Sequence, residues 1–275
     1  MSTEAKIDAH WGKGGLAEAI LAALKTAGCD PDNLAPEDLL PLEHLHGRGA
    51  DATRELLEIL SPGPDTHLLD IGSGVGGPAR MAAHLYGAHV TGIDLTQEFC
   101  DVAQMLCQRV GLSDLVTIRQ GNALDLPFAN ESFDGAYSQN VSMNIEDKEA
   151  FYAEAFRVVR PGGLFVAAEY AEGPGGAPVF PVPWALVPEH SHLLKPDDIP
   201  RTLEAVGFEI VDCTDQSDSM IESYQRGREK IAAEGKPVLG PHLLMGDDGP
   251  ERRRNSARSV EEKRTIPVQV VCRRV

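Results

Sequence analysis

The spacing of apolar residues changes near residue 65, and the chain divides there into two kinds of pattern. Before that point Leu16, Ile20 and Leu24 recur every four residues, which is the period of a helix face. The predicted elements are a helix over residues 7–27, a Pro- and acid-rich connector over 30–41 and a second helix over 50–60. Because no strand pattern occurs here, residues 1–64 predict a helical N-terminal cap.

From residue 65 onward, short apolar runs alternate with helical patterns. Strands are predicted at 66–71, 89–94, 115–119, 133–138 and 164–170, and helices at 77–86, 96–110 and 147–159. Such alternation is typical of a doubly wound α/β fold, in which helices cover both faces of a mostly parallel sheet. Ligands of such folds bind beyond the carboxyl ends of the strands.

The alternation of strand and helix patterns is interrupted over residues 171–200, which contain seven prolines. A segment this long without a periodic pattern predicts a lid or substrate loop inserted into the second domain, residues 65–275. The elements predicted after it are a helix at 196–206, a strand at 208–213, helices at 219–234 and 248–263, and a last strand at 266–273. In that last strand Val268, Val270 and Cys272 alternate with polar residues, which predicts an antiparallel strand inserted near the sheet edge, the seventh of the sheet.

Charge and composition narrow the range of partners. The chain has 275 residues and a net charge of −17, which argues against a nucleic-acid partner because phosphate binding needs clustered Lys and Arg. There is no apolar run long enough for a membrane span. Five scattered cysteines without a C-x-x-C pair predict reduced thiols in a cytoplasmic protein. No set of residues has diagnostic metal-ligand spacing, so no metal is predicted. A homodimer is compatible with the sequence.

A glycine-rich turn carries the most specific signal. The predicted first strand runs into Asp70-Ile71-Gly72-Ser73-Gly74-Val75-Gly76-Gly77, and Asp94 ends the next strand, 24 residues after Asp70. Glycines let the backbone approach a ligand closely, and an acidic residue at this distance can accept hydrogen bonds from a ribose diol. This pattern predicts an adenosine-containing cofactor. Because the turn also satisfies G-x-G-x-x-G, a nicotinamide dinucleotide oxidoreductase is an alternative.

Two further motifs favour another cofactor. One is Gly121-Asn122-Ala123-Leu124-Asp125-Leu126-Pro127-Phe128, and the other is Arg160-Pro161-Gly162-Gly163 before the fifth strand. Together with the glycine turn they resemble the class I S-adenosylmethionine-dependent methyltransferases over about residues 65–211. The resemblance implies a Rossmann-like fold, S-adenosyl-L-methionine as cofactor and a small-molecule methyl acceptor. A non-catalytic cofactor-binding protein is a further alternative.

The resemblance also implies which residues touch the cofactor. Asp70, Gly72 and Gly74 would line its methionine and ribose end, and Asp94 would hold the ribose diol. Asn122, where the family usually has Asp, and Ala123 would lie at the adenine, and Gln139 near the methionine moiety or the acceptor. The full predicted set is Asp70, Gly72, Gly74, Gly76, Asp94, Leu95, Asn122, Ala123 and Gln139.

The N-terminal part carries a narrower resemblance. His10-Trp11-Gly12 and the stretch from Leu42 to Thr53 are similar to the cap of the sarcosine/dimethylglycine N-methyltransferase group, in which this segment folds over the cofactor. Arg48 interrupts the His-x-Gly-Gly-like element, and Gln139-Asn140 stands where those enzymes often have Gln-Asp. The resemblance implies an amine acceptor. O- or C-methylation of a phenol, quinone or other natural product is the alternative.

Methyl transfer from a sulfonium is an in-line displacement, and only some acceptors need a base. A neutral amine needs none, whereas a phenol, hydroxyl or carbon acid does. The predicted catalytic residues are His46, Tyr170 and His190. Trp184 with Phe180 predicts an apolar or cation-binding wall, or an anchor that ties the proline-rich loop to the core.

Overall fold

The computed structural model describes residues 10–12 and 14–275, and its centre is a seven-stranded sheet. The strands lie in the order β3-β2-β1-β4-β5-β7-β6, and β7 runs antiparallel to both β5 and β6. Their bounds are β1 His67–Ile71, β2 His89–Asp94, β3 Val116–Gln120, β4 Phe133–Gln139, β5 Val159–Glu172, β6 Phe208–Asp215 and β7 Thr265–Arg274. The predicted Rossmann-like α/β fold, with an antiparallel last strand inserted next to the edge, is confirmed.

The helices largely follow the predicted pattern. Their bounds are α1 Leu16–Thr26, α2 Pro36–Glu43, α3 Ala50–Leu60, α4 Gly77–Tyr86, α5 Gln97–Arg109, α6 Lys148–Val158, α7 Asp198–Ala205, α8 Ser217–Glu234, α9 His242–Met245 and α10 Gly249–Glu261. Two of them, α2 and the short α9, were not predicted. In addition, the strand β5 begins five residues earlier than predicted, because residues 160–163 belong to the strand and do not precede it.

The prediction of one helix over residues 7–27 is wrong at its N-terminal end. Helix α1 begins only at Leu16, and Gly14 and Gly15 before it have positive φ angles of 78° and 79°. Such angles cannot continue a right-handed helix. Residues 7–9 and 13 lie outside the described residues.

The predicted connector over residues 30–41 is also wrong, because it contains most of α2. Pro36 occupies the first turn, where its missing N–H costs nothing. The Asp38 carboxylate accepts a hydrogen bond from the Ala35 N–H at 2.9 Å. The prolines and acids that suggested a connector are therefore the residues that start this helix.

The chain forms two compact units. Unit 1 contains the described residues up to Ala123 together with Glu229–Asp247, and unit 2 contains Leu124–Arg228 and Asp248–Val275. In unit 1 the helices α1, α2 and α5 enclose an apolar cluster, whose buried members include Ile20, Leu24, Leu39, Leu42 and Leu106. In unit 2 a second cluster contains Met143, Tyr170, Val182, Trp184 and Met220.

Helices α2 and α4 of unit 1 are joined by a buried ion pair. The Arg80 guanidinium donates to the Glu43 carboxylate through Nε at 3.2 Å and Nη2 at 2.5 Å, and both side chains are almost fully buried. The helices approach closely there, since a Cβ on Gly77 would lie 2.7 Å from the Glu43 carbonyl oxygen. No helix in the described part of the chain is long and apolar enough to cross a membrane.

Candidate functional site

The predicted glycine turn lies between β1 and α4 in unit 1. Gly72, Gly74 and Gly76 have φ angles of 77°, 53° and 79°, which glycine adopts readily and other residues rarely do. The N–H groups of Gly72 and Ser73 donate to the Ile93 carbonyl at 2.8 and 3.0 Å. The turn is therefore fastened to the end of β2, one residue before Asp94.

Asp94 ties the glycine turn to the start of the next helix. Its Oδ2 accepts a hydrogen bond from the Gly74 N–H at 2.8 Å, and its Oδ1 accepts one from the Thr96 N–H at 2.9 Å. Burial raises the pKa of this carboxyl, while those N–H groups favour its ionised form. The half-buried carboxylate retains further lone pairs that can accept from a diol.

The remaining predicted cofactor residues of unit 1 adjoin Asp94. Gly121 N–H donates to the Asp94 carbonyl at 2.9 Å, and the Gln120 side chain donates to the Leu95 carbonyl at 3.1 Å. Asn122 and Ala123 follow directly and are partly exposed. Asp70, almost fully buried, lies beside Gly92 in the β1–β2 register. The structure thus brings together the carboxyl ends of β1, β2 and β3, where eight of the nine predicted cofactor residues lie.

Glu98 is a residue that the sequence interpretation missed. Its carboxylate accepts hydrogen bonds from the Gly14 N–H at 2.8 Å and the Leu16 N–H at 2.9 Å. Trp11 contacts Phe99, with ring centroids 5.8 Å apart. The N-terminal segment is therefore held at the first turn of α5, only four residues beyond Asp94. A lone Glu in a helix gives no sequence signal for such a long-range contact.

His46 is the partly buried end of a hydrogen-bonded chain that also contains buried Thr53 and His44. The Thr53 hydroxyl lies 3.0 Å from His46 Nε2 and 3.1 Å from His44 Nδ1, and His46 Nδ1 lies 3.2 Å from the Gly47 carbonyl. Burial, followed by neighbouring positive charge, lowers the pKa of each histidine to about 3. His46 is therefore neutral, with both ring nitrogens engaged, and its catalytic role stays a prediction.

Tyr170 lies in the apolar cluster of unit 2. Its hydroxyl is 2.9 Å from the Tyr224 hydroxyl, and its ring stacks on Trp184 at 5.0 Å. Burial, reinforced by Tyr224, raises the pKa of Tyr170 well above its usual value. Trp184 is itself buried and donates from Nε1 to the Ser191 hydroxyl at 2.9 Å. Trp184 and the half-buried Phe180 thus anchor the proline-rich segment to the core, the second of the two predicted roles.

The last two predicted site residues lie at chain turns of unit 2. His190 is exposed and ends a short 3₁₀ turn, Pro188–His190. Gln139 is the last residue of β4 and half-buried, and the next residue, Asn140, has a φ angle of 59°. Among the described residues, no three His, Cys, Asp or Glu side chains are grouped to hold a metal ion.

Comparison with known proteins places these features in a family. The methyltransferase domain family matches residues 69–167. The O-methyltransferase cnsE of Penicillium expansum is 33% identical over 201 residues, which cover 71% of this chain and 71% of that protein. The 24-methylenesterol C-methyltransferase 2 of Oryza sativa subsp. japonica is 37% identical over 124 residues, but these cover only 44% of this chain and 34% of that protein.

A solved structure agrees over the whole length. Phosphoethanolamine N-methyltransferase 2 of Haemonchus contortus, in complex with S-adenosyl-L-methionine, superposes with a TM-score of 0.75 and covers 100% of this chain and 60% of that one. The superposition shows a shared fold, and at 18% sequence identity it shows nothing finer. The names of these three proteins include methyl transfer to oxygen, carbon and nitrogen, so the match does not single out one type of acceptor atom.

Proposed function

Because this chain belongs to the S-adenosylmethionine-dependent methyltransferases, we propose that the carboxyl ends of β1, β2 and β3 hold this cofactor. Asp94 would accept from the ribose diol, the glycine turn and Asp70 would lie along the methionine and ribose end, and Asn122 and Ala123 would lie at the adenine. The residues present fit the group, since a half-buried carboxylate adjoins a turn of positive-φ glycines. Gln139, the ninth predicted cofactor residue, stays a prediction.

When bound, the cofactor supplies a methyl group already activated as a sulfonium. The chain's own residues must then orient a nucleophile and exclude water, and positioning alone can lower a barrier by about 7–11 kcal/mol. We assign the acceptor side to the segments that follow β4 and β5, including the proline-rich residues 171–200. The N-terminal cap, residues 1–64, would close over the cofactor through the Glu98 contacts.

We further propose that the acceptor is a nucleophile that needs no base from the protein. One observation carries this proposal: two of the three predicted bases are already engaged in the fold. His46 is neutral and hydrogen-bonded, and Tyr170 is a buried phenol with a raised pKa. His190, the third, is exposed to water. A histidine with a pKa as low as that of His46 and a phenol with a pKa as high as that of Tyr170 are poor at removing a proton at neutral pH.

Two acceptor classes satisfy this condition. The first is a small amine of the sarcosine or dimethylglycine type, which attacks through the lone pair of its unprotonated nitrogen. The second is an oxygen acid that is ionised in solution, such as an acidic phenol or a carboxylate. The specific observation favouring the second is the 33% identity to an O-methyltransferase over 71% of both chains.

A pH–rate series over acceptors of graded pKa tests the proposal. S-adenosylhomocysteine release would be followed with methylated glycines, other small amines, and phenols whose own pKa values differ. We expect the apparent pKa of kcat/KM to move with the acceptor. An apparent pKa that stays fixed across acceptors would identify an enzyme base and overturn the proposal. Turnover confined to amines or to phenols decides between the two classes.

A further inference from the structure

Two buried charged residues of unit 2 lie beside the turn that follows β4. Lys148 begins α6 and is 6% exposed, and Glu169 lies on β5 and is 2% exposed. Lysine and glutamate are almost never fully buried unless their charges and hydrogen-bonding groups are satisfied. No role for either residue follows from the cofactor site, so their partners indicate what they do.

Lys148 joins two segments that are far apart in sequence. Its ammonium donates to the backbone carbonyls of Ser142 and Ile145 in the turn after β4, and to that of His192 at 2.6 Å. These three contacts use all of its N–H donors. The His192 N–H in turn donates to the Met143 carbonyl at 2.9 Å. The proline-rich segment is therefore fastened to the turn after β4 by two hydrogen bonds.

Glu169 holds the same turn from the other side. Its Oε2 accepts from the Ser142 N–H at 3.0 Å, and its Oε1 accepts from the Ser138 hydroxyl near the end of β4 at 3.1 Å. Glu169 thus binds an N–H group of the turn while Lys148 binds carbonyls of the turn. The backbone just beyond Gln139 is fixed by two charged side chains.

This arrangement carries an energetic cost. Burial raises the pKa of Glu169 to about 7 and lowers that of Lys148 to about 8, and the charge of each residue opposes part of the shift of the other. Burying a charged side chain costs free energy, and well-packed apolar side chains of similar volume are often at least as stable. A role in orienting the backbone is therefore a better explanation of the pair than a contribution to stability.

We propose that Lys148 and Glu169 are positioning residues for the methyl acceptor. They would set the relative placement of the turn after β4 and the segment around His192, the two segments of unit 2 that we assign to the acceptor side. The inference rests on that part of the proposed function. A displacement of about 1 Å at a reacting group can cost on the order of a hundredfold in rate. A turn that is fixed on both sides would keep the acceptor from being displaced in this way.

Variants of the pair and a matched lysine test the inference. Lys148→Met removes the donors, Lys148→Arg retains a charged donor, and Glu169→Gln keeps the shape, since the amide can accept from Ser142 and donate to Ser138. Lys230→Met is the control, because Lys230 is an exposed lysine of α8, outside the segments assigned to the acceptor side. The readouts are acceptor KM, S-adenosylhomocysteine affinity by calorimetry, and amide hydrogen exchange of peptides spanning residues 140–147 and 189–194.

We expect Lys148→Met to raise the acceptor KM about tenfold or more, Glu169→Gln to raise it by less, and Lys148→Arg to restore part of the loss. Exchange should accelerate in both peptides while S-adenosylhomocysteine affinity stays within about twofold, and Lys230→Met should match the wild type. Unchanged exchange in Lys148→Met, unchanged KM in folded Lys148→Met and Glu169→Gln, or an equal loss of S-adenosylhomocysteine affinity would overturn the inference. Absence of wild-type turnover would instead count against the proposed function, and the exchange measurement would still test the pair.

Discussion

Asp94 accepts two backbone hydrogen bonds in addition to its proposed role at the ribose, so its substitution affects the turn as well as the ligand. Asp94→Asn keeps the size of the side chain but places an N–H group opposite the N–H of Gly74 or Thr96. We expect S-adenosylhomocysteine affinity to fall about 30-fold, which corresponds to about 2 kcal/mol. Calorimetry measures the change directly.

The control for this variant is Asp114→Asn, which alters an exposed aspartate of the same unit. It should bind like the wild type. If Asp94→Asn and the wild type bind S-adenosylhomocysteine with equal affinity, the ribose does not bind at the end of β2. Thermal unfolding of the variant without ligand separates a loosened turn from a lost ligand contact.

The two histidines on Thr53 make the fold sensitive to acid. Their pKa values are about 3 in the folded protein and ordinarily 6.5. As the pH falls below 6.5, the unfolded chain binds protons that the folded chain excludes, so stability falls with pH in this range. For buried His44 the loss between pH 7 and pH 5 is about 2 kcal/mol.

We therefore expect the double variant His44→Asn/His46→Gln to lose less stability than the wild type between pH 7 and pH 5. Urea unfolding at the two pH values gives the comparison, with exposed His89→Gln as the control. The same acid sensitivity in the double variant and the wild type would mean that these histidines titrate normally in the fold.

The cofactor-binding residues of unit 1 could be predicted because the sequence pattern that indicates them lies within one short stretch of the chain. The glycines that adopt positive φ angles and the acid that ends β2 lie within one strand–turn–helix–strand stretch, and their spacing follows from that geometry. His46 and Tyr170 show the limit of such reasoning. Their partners, Thr53 and Tyr224, are brought to them by folding, and these contacts decide whether a ring is available as a base.

At the level of elements, α2, one of the two helices that were not predicted, is held by the buried ion pair between Glu43 and Arg80. Arg80→Met leaves the Glu43 carboxylate buried between α2 and α4 without its cation. We expect the free energy of unfolding to fall by about 3–5 kcal/mol. Arg226→Met, which breaks an exposed pair with Glu222, should change it by less than about 1 kcal/mol.

A double variant measures the energetic coupling between Glu43 and Arg80. Glu43→Gln/Arg80→Met should be less destabilised than the sum of its two single variants, because the second change removes the unpaired charge. Additive losses in urea unfolding would show that α2 and α4 do not depend on the pair. The start of α2 has a local signal in Pro36 and Asp38, but the ion pair that holds the helix joins residues 37 positions apart and has no local signal in the sequence.

The contact between the N-terminal segment and α5 is the second prediction at this level. Glu98→Gln leaves only one acceptor oxygen for the N–H groups of Gly14 and Leu16. We expect S-adenosylhomocysteine to slow proteolysis within residues 1–40 in the wild type and to protect this variant less. Asp101→Asn, on the same helix, is the control. Cleavage that proceeds equally with and without ligand in the wild type would contradict closure of the cap over the cofactor.

For the whole molecule, the α/β alternation and the motif spacing were sufficient to predict the sheet and the family. The acceptor was not predictable in the same way. The segments assigned to it, the turn after β4 and residues 171–200, lack periodicity, and their placement depends on Lys148, Glu169 and Trp184, whose contacts join distant parts of unit 2.

We propose that this chain moves a methyl group from S-adenosylmethionine to a small nucleophile that needs no protein base. The most direct measurement is mass spectrometry of reactions with amines, acidic phenols and carboxylates, which quantifies the methylated acceptor and S-adenosylhomocysteine together. We expect both products to form in equal amounts with at least one of these classes. Tight binding of S-adenosylmethionine without either product across all three classes would contradict this proposal and would indicate a non-catalytic cofactor-binding protein.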